Sequence, residues 1–523
     1  MSLEIYDCTL REGEQAAGAS FSLESRLELV KKLDEFGVDY IEIGWPIVSE
    51  EVVEAIKQSR KIVQKSKIVA FGSTSLVENP EQDKNLDSII KSGAGYACIF
   101  GKTDLEHVER QLRLSAEENL VRIARSIEFL RARGIRVFYD AEHFFDAFKK
   151  HKDYAIKTLE AAINAGAERI ILCDTNGGIL PEEAREIVEE TKKKLVEMKL
   201  EPNMGVHFHN DCGLALANTL ASLNYICQVQ GTINGTGERV GNLNLSEFIP
   251  VYMKKLGEKT RINLKMLKEL NEEAYRLSGM DIPDSRAFVG DSAFAHKGGV
   301  HIDATNKGAS YEHIVPEDVG NRRLAFLNTL GGRSGVISTA REFGYLLDKN
   351  DFGIKEKIER LFEELEMMER RGYRAGTVKA EQFLLIEKYF GELDNCFEIE
   401  RWKVETEKEG NSERSKFYAM CRINGNSFEG SIELEGGPVD AAYKTISALL
   451  EKRYPQIKKL NLLDFHVGIA RSHREESTVR TVISFCDGEK FQTVGVDSNI
   501  IQSAIEALTK GFRYYLNRAR KGI

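Results

Sequence analysis

The 523-residue sequence has only 9 prolines and 2 tryptophans, and no surplus of positive charge: 73 Lys and Arg stand against 82 Asp and Glu, a formal net charge of −9. That balance excludes the basic stripe with which nucleic-acid-binding proteins neutralise phosphates, so no nucleic-acid partner is expected. No apolar run approaches the roughly 20 residues of a membrane-spanning helix, so no membrane partner is expected either. The opening MSLEIYDCTLREGEQ has no basic segment leading into an apolar one and does not read as a secretory leader. The 8 cysteines, at 8, 98, 173, 212, 227, 396, 421 and 486, form neither a CxxC pair nor a dense framework. They read as reduced thiols, and the expected location is cytoplasmic.

What is present is an ordinary globular composition, 42% hydrophobic and 30% charged. The length predicts about three domains. Over residues 3–240 short β-rich runs alternate with longer amphipathic ones. Strand candidates fall at 3–10, 40–46, 67–74, 96–102, 135–145, 169–175, 204–210 and 227–235, and helical runs between them close on Gly37, Gly93, Gly134 and Gly166. Eight strand–helix repeats in about 260 residues match a (β/α)8 barrel in count and size. The rival, a doubly wound open sheet, lacks the Gly-rich dinucleotide turn after its first strand.

The expected fold class is therefore α/β: a TIM barrel over 1–265, linker and helical subdomains over 266–395, and a small C-terminal α/β domain over 396–523. The last part repeats one unit, an alternating strand, a short turn and an Ala-rich helix, at 428–455 and again at 491–516. It has no catalytic constellation, and a dimerisation module and a small-effector sensor fit the pattern equally well.

In such a barrel the reactive residues lie at the C-terminal ends of the strands. Nearly all the unusual polar density of the first 250 residues falls there. His207 and His209 are two apart on a strand, so both rings point to one face and can converge on an ion. Two hydrogen-bonded histidines would produce the same spacing. Glu12 supplies a carboxylate, because closure makes strand 1 a neighbour of strand 8. Two His, one carboxylate and open positions suit a divalent Lewis acid acting on an oxygen-rich substrate, and Asn242 can add an oxygen. Arg11 is a partner for an oxyanion or carboxylate, or else forms a structural salt bridge. Thr175 can bind a small carboxylate or cap a helix, and Glu142 can assist a base or form an ion pair at the rim. A second cluster, FAHKGGVHID followed by Tyr311, carries His301. It reads either as a loop reaching over a barrel mouth, its own or that of a second subunit, or as histidines in a polar linker.

LREGEQ, HFHND and NGTGERVGN resemble the acyl-CoA-dependent Claisen condensation enzymes, the group of isopropylmalate, homocitrate and citramalate synthases, with hydroxymethylglutaryl-CoA lyase as a relative. Longer stretches such as YDAEHFFDAF, LCDTNGGILPEE, GDSAFAHKGGVHIDA and YEHIVPEDVGNRR are similar to the long-form citramalate synthases, and the likeness covers nearly the whole chain. The resemblance implies condensation of acetyl-CoA with pyruvate to (R)-citramalate and CoA, in isoleucine biosynthesis. It implies that Glu12, His207 and His209 bind a divalent ion (Mn2+, Mg2+ or Zn2+), with Asn242 as the additional ligand. Arg11 would steady the alkoxide, and Thr175 would hold the keto-acid carboxylate. Glu142 would work with His301 in taking a proton from the acetyl methyl, with Tyr311 nearby. In this family His301 and Tyr311 come from the partner of a homodimer, and 396–523 resembles the regulatory (LeuA-dimer-like) domain, whose usual effector for citramalate formation is isoleucine.

One position departs from the pattern. Long-form citramalate synthases usually carry Asp where this chain has Glu12, and an Arg–Glu pair is more typical of homocitrate synthases. The added methylene moves the carboxylate by up to about 1.5 Å. The alternatives are a homocitrate or 2-isopropylmalate synthase using 2-oxoglutarate or 2-oxoisovalerate, and a catalytically silent amino-acid-binding regulator. A regulator would be marked by loss of a metal ligand or of His301, and neither is lost.

Overall fold

Eight parallel strands close on themselves in the computed structural model, in the order β1 to β8. They are β1 (Glu4–Asp7), β2 (Tyr40–Gly44), β3 (Lys67–Ser73), β4 (Tyr96–Lys102), β5 (Arg136–Glu142), β6 (Arg169–Asp174), β7 (Met204–Phe208) and β8 (Gln228–Gly231). The structure describes residues 3–283, 285–296, 312–325, 327, 332–348, 350–373, 376, 378–410, 412–472 and 477–522. Among them, no helix is long and apolar enough to cross a membrane.

All eight expected strands are present, and each ends earlier than or at the expected residue; the surplus residues form the mouth loops. The strands are short and buried on both faces, as RIILCD in β6 shows, which is the signature of parallel strands covered by helices. The covering helices carry an apolar stripe: in Glu50–Ile62 the buried residues are Val52, Val53, Ala55, Ile56 and Ser59. Their starts are set by side-chain caps such as Ser22, Ser49 and Ser115, the last within a full capping box with Glu118. Gly37 and Gly93 end their helices in the left-handed region, which a side chain disfavours.

β1 closes the barrel against β8 in the register Glu4↔Gln228 to Asp7↔Gly231. Tyr6, Tyr40, Val69, Phe71, Cys98 and Phe138 fill the interior, and Glu4 at the lower end accepts hydrogen bonds from Arg169 and Gln228. This filling leaves space at the C-terminal mouth. Helix Leu267–Ser278, which follows the barrel, packs on Leu23–Phe36.

The chain divides into two compact units, Met1–Phe294 with Ile314–Arg323, and Ala295–His313 with Leu324–Ile523. The second unit begins with a two-residue parallel pair, β9 (Ala295–His296) and β10 (Leu324–Ala325), and helices that include Phe352–Arg371 and Lys379–Phe390. Two antiparallel three-stranded sheets follow. One holds β11 (Phe397–Glu409), β12 (Ser412–Ile423) and β13 (Asn426–Glu435), with helix Pro438–Glu451. The other holds β14 (Asn461–Ser472), β15 (Ser477–Cys486) and β16 (Lys490–Asp497), with helix Ile500–Lys521.

The repeat is thus three strands and a helix, larger than the strand–turn–helix expected. The first strand escaped notice because FEIERWKVETEKE alternates with charges, and a bulge between Ile399 and Arg401 shifts its phase. The two repeats interlock. Helix Ile500–Lys521 reaches back to β11, where the Trp402 indole donates to Gln502 at 3.0 Å and Arg513 donates to the Phe397 carbonyl at 3.0 Å.

Candidate active site

The turn after β1 is built by one carbonyl: Cys8 O accepts the backbone N–H groups of Arg11 at 3.1 Å and Glu12 at 2.8 Å. Thr9 fixes it to the opposite side of the seam, donating to Asp7 at 2.7 Å and accepting from the Ile233 N–H at 2.8 Å. Burial raises the Asp7 carboxyl to about 7 despite these hydrogen bonds. His207 lies on β7 and His209 just past it, paired by an isolated bridge with Asn242 in the loop after β8.

Strand β7 and the loops after β1 and β7 therefore bring Glu12, His207 and His209 together, with their ligand atoms all within 4.8 Å of one another and all three residues buried. His209 Nε2 is 3.8 Å from Glu12 Oε1, and His207 Nε2 is 3.4 Å from Asn242 Nδ2. The site fits a divalent cation on its own chemistry. Two imidazoles and a carboxylate are a transition-metal donor set, and two buried atoms at the same place, His209 Nδ1 and Asn242 Oδ1, have no hydrogen-bond partner among the described residues. Both rings stay neutral. Burial, then Arg11, lowers His207 to about 4, and burial, then His207, lowers His209 to about 2. Neutral rings are the metal-binding form.

Arg11 does not stand free. Its Nε donates to Glu42 at 2.5 Å, Nη1 pairs with Glu12, and the guanidinium lies 3.8 Å over the Phe71 ring. Glu42, fully buried, also accepts from the Tyr6 hydroxyl at 2.5 Å. Arg11 forms salt bridges and also lines the cavity.

The mouth encloses a cavity of about 410 Å³. Its lining includes the polar Glu12, His207, His209, Asp140, Glu142 and Thr175 and an aromatic wall of Trp45, Phe71 and Phe100. These three rings pack at centroid distances of 5.5–5.8 Å, and the Trp45 indole donates to Asn85 at 2.6 Å. Glu142, at the end of β5, forms an ion pair with Lys102 at the end of β4, 2.6 Å away. Thr175 Oγ1 accepts from the backbone N–H of His143 at 2.8 Å, which ties the loops after β5 and β6 and leaves its own proton to donate. Asn242 lies beside the histidines without lining the cavity. His301 and Tyr311 lie outside the described residues.

Sequence reasoning passed over Glu42, Lys102 and Gln230. A signal existed for the first and last: an acid in YIEIG and an amide in QVQG, each inside a strand otherwise committed to burial. For Lys102 the signal was its place at a strand end, where Lys is also ordinary surface.

The family model described as HMGL-like matches residues 2–273, the Homocitrate synthase post-HMGL domain-like model matches 288–366, and the LeuA allosteric (dimerisation) domain matches 378–516. The (R)-citramalate synthase of Geobacter sulfurreducens is 39% identical over 531 residues, covering 100% of this chain and 99% of its own. That of Sulfolobus acidocaldarius is 40% identical over 526 residues, covering 98% and 97%. The 2-isopropylmalate synthase of Methanocaldococcus jannaschii is 30% identical over 522 residues, covering 99% and 95%. With a barrel closed by eight parallel strands, a matching barrel model and relatives aligned end to end, this chain belongs to the (R)-citramalate synthase family of HMGL-like enzymes.

Proposed function

We propose that the protein condenses acetyl-CoA with pyruvate to give (R)-citramalate and CoA, in the supply of isoleucine. The observation that carries this reading is the juxtaposition of the Glu12–His207–His209 cluster with the wall of Trp45, Phe71 and Phe100 in one cavity of about 410 Å³. A keto acid held by its oxygens at the cluster turns its substituent toward aromatic rings, where a methyl group is at home. A second carboxylate would be desolvated there without a cation, since the one Arg or Lys among the described lining residues is Arg11, already paired with Glu42 and Glu12. That argument favours pyruvate over 2-oxoglutarate despite the Arg11–Glu12 pair.

Glu12, His207 and His209 would hold the divalent ion (Mn2+, Mg2+ or Zn2+), with Asn242 offering its unpartnered oxygen. When bound, such an ion supplies Lewis-acid polarisation of the keto acid. Thr175 donates its hydroxyl proton to the keto-acid carboxylate. Glu142, with His301 of a second subunit, takes a proton from the thioester methyl, and the methyl carbon then bonds to the keto carbon. Arg11 would steady the oxygen that takes the electron pair of the keto C=O bond, and that oxygen then takes up a proton from water. Tyr311 would serve during condensation or as water cleaves the thioester and CoA leaves. The aromatic wall keeps bulk water from the carbanion-like centre. Residues 396–523 would act as a dimerisation and regulatory domain with isoleucine as effector, in a cytoplasmic homodimer.

The test is CoA release, followed by thiol assay, with acetyl-CoA, Mn2+ or Mg2+, and pyruvate, 2-oxobutyrate, 2-oxoisovalerate or 2-oxoglutarate in parallel. Pyruvate-dependent release abolished by chelator is expected. Release with 2-oxoglutarate alone refutes the reading of the aromatic wall and makes Arg11–Glu12 the better guide.

A further inference from the structure

We propose that Asp140 and Gln230 are positioning residues that decide which ring nitrogen of His207 carries its proton. The inference rests on reading His207 as a metal ligand, and it adds to that reading two residues that belong to no part of the proposed reaction.

His207 on β7 sits in register with Gln230 on β8, and its Nδ1 is 2.9 Å from Gln230 Oε1. Taken alone, this contact fixes nothing. A neutral imidazole offers one N–H and one lone pair, and a primary amide can accept with its oxygen or, turned by 180°, donate with its nitrogen. The far end of the amide makes the choice. Gln230 Nε2 lies 3.4 Å from Asp140 Oδ1, and the same oxygen accepts the Cys98 thiol at 3.0 Å. A carboxylate oxygen that already accepts one donor turns the amide NH2 toward itself. The reverse orientation would set two acceptors face to face in a buried place.

Polarity then runs one way through the barrel interior. Asp140 orients Gln230, Gln230 Oε1 accepts the Nδ1 proton of His207, and Nε2 keeps its lone pair. Nε2 is the nitrogen beside Asn242. Asp140, Gln230, Cys98 and His207 are all buried. Asp140 never touches His207; it acts entirely through the amide. Both donors reach Oδ1, so the arrangement does not depend on what Oδ2 holds.

The experiment uses the full chain labelled with 15N-histidine. Long-range 1H–15N spectra of the metal-free protein read the His207 tautomer, with assignment by His207→Gln, and calorimetric titration with Mn2+ reads affinity. The parent should show the Nδ1–H form. Asp140→Asn leaves an amide facing an amide, and Gln230→Leu removes the connection. Each should mix or reverse the tautomer and weaken Mn2+ binding about 10-fold or more, the usual effect of losing a residue that orients a ligand.

The double variant Asp140→Asn/Gln230→Glu rebuilds the polarity with the charge moved one place: the Asn NH2 donates to the new carboxylate, which accepts from Nδ1. It should recover both tautomer and affinity, which a purely structural role for either residue would not produce. The proposal is overturned if Asp140→Asn keeps the parent tautomer and affinity, or if the double variant is no better than the single ones. Absence of Mn2+ binding by the parent would instead refute the metal reading, while the spectra still decide the relay.

Discussion

The glycine of TGERVGN at position 241 makes the most demanding test of how the site is assembled. Gly241 has φ +96, in the left-handed region, and a Cβ added there would lie 1.9 Å from the Gly235 carbonyl oxygen. Because that neighbour is backbone, no side-chain rotation relieves the contact. Gly241→Ala must therefore open the turn that joins residues 235 and 242. Two hydrogen bonds go with it, Asn242 N–H to Gly235 O at 3.0 Å and Asn210 N–H to Gly241 O at 2.8 Å, the second tying the β8 loop to the residue after His209. Each contributes about 1 kcal/mol, and a non-glycine residue in this region costs about 1–2 kcal/mol. The expected loss is about 3–4 kcal/mol, a fall in the barrel's Tm of roughly 6–15 °C. Since Asn242 and His209 move together, Mn2+ affinity should drop by about 10-fold or more. Differential scanning calorimetry and isothermal titration read the two effects. A variant with its Tm within about 2 °C of the parent and unchanged Mn2+ affinity would refute the claim that this glycine holds the site's third loop in place.

Further outcomes follow from other contacts. Saturating Mn2+ should raise the barrel's stability by about 2.7 kcal/mol at one hundred times Kd, and Glu12→Gln should abolish that shift in a thermal melt; a surviving shift would mean the ion sits elsewhere. Burial and Arg11 hold His207 at about 4 against 6.5 for the free ring, so between these values the unfolded chain takes up a proton that the folded site refuses. The parent therefore loses stability as pH falls from about 6.5 to 4; His207→Gln lacks this loss, and the difference in Tm between the two should shift in the variant's favour across that window in chelated buffer. In the second unit a Cβ on Gly495 would lie 1.9 Å from the Ser503 carbonyl, so Gly495→Ala should displace helix Ile500–Lys521 from β16. The expected loss is about 3 kcal/mol, read as faster amide exchange in β16 with the amides of β1 to β8 unaffected.

The barrel was legible because its strands are continuous apolar runs punctuated by Gly-ended helices, a pattern written in local chemistry. The Glu12–His207–His209 cluster was legible for a topological reason: closure alone brings the first strand's end beside the seventh and eighth. Glu42 and Gln230 were not, although their sequence context marks them as odd, because a period-2 pattern shows that a residue faces inward and not whom it meets across the interior. Tyr6 on β1 and Arg11 in the turn after it meet Glu42 on the next strand, and Asp140 on β5 meets Gln230 on β8, 90 residues on. The three-stranded repeats of the second unit were half seen for a different reason. Exposed charges on β11 and a one-residue bulge erased the alternation that β13 and β16 keep.

The seam between β1 and β8 also orders events in time. Thr9 and Ile233, which meet across it, are separated by 224 residues, so this pairing is among the last contacts a folding chain can make; loop-closure entropy and high contact order both delay it. Glu12 lies on one side of the seam and both histidines on the other. A chain that has formed seven strands has nearly all its core and no binding site. Ligation at this cluster therefore cannot guide the search for the fold, and acts afterwards as a latch that slows reopening.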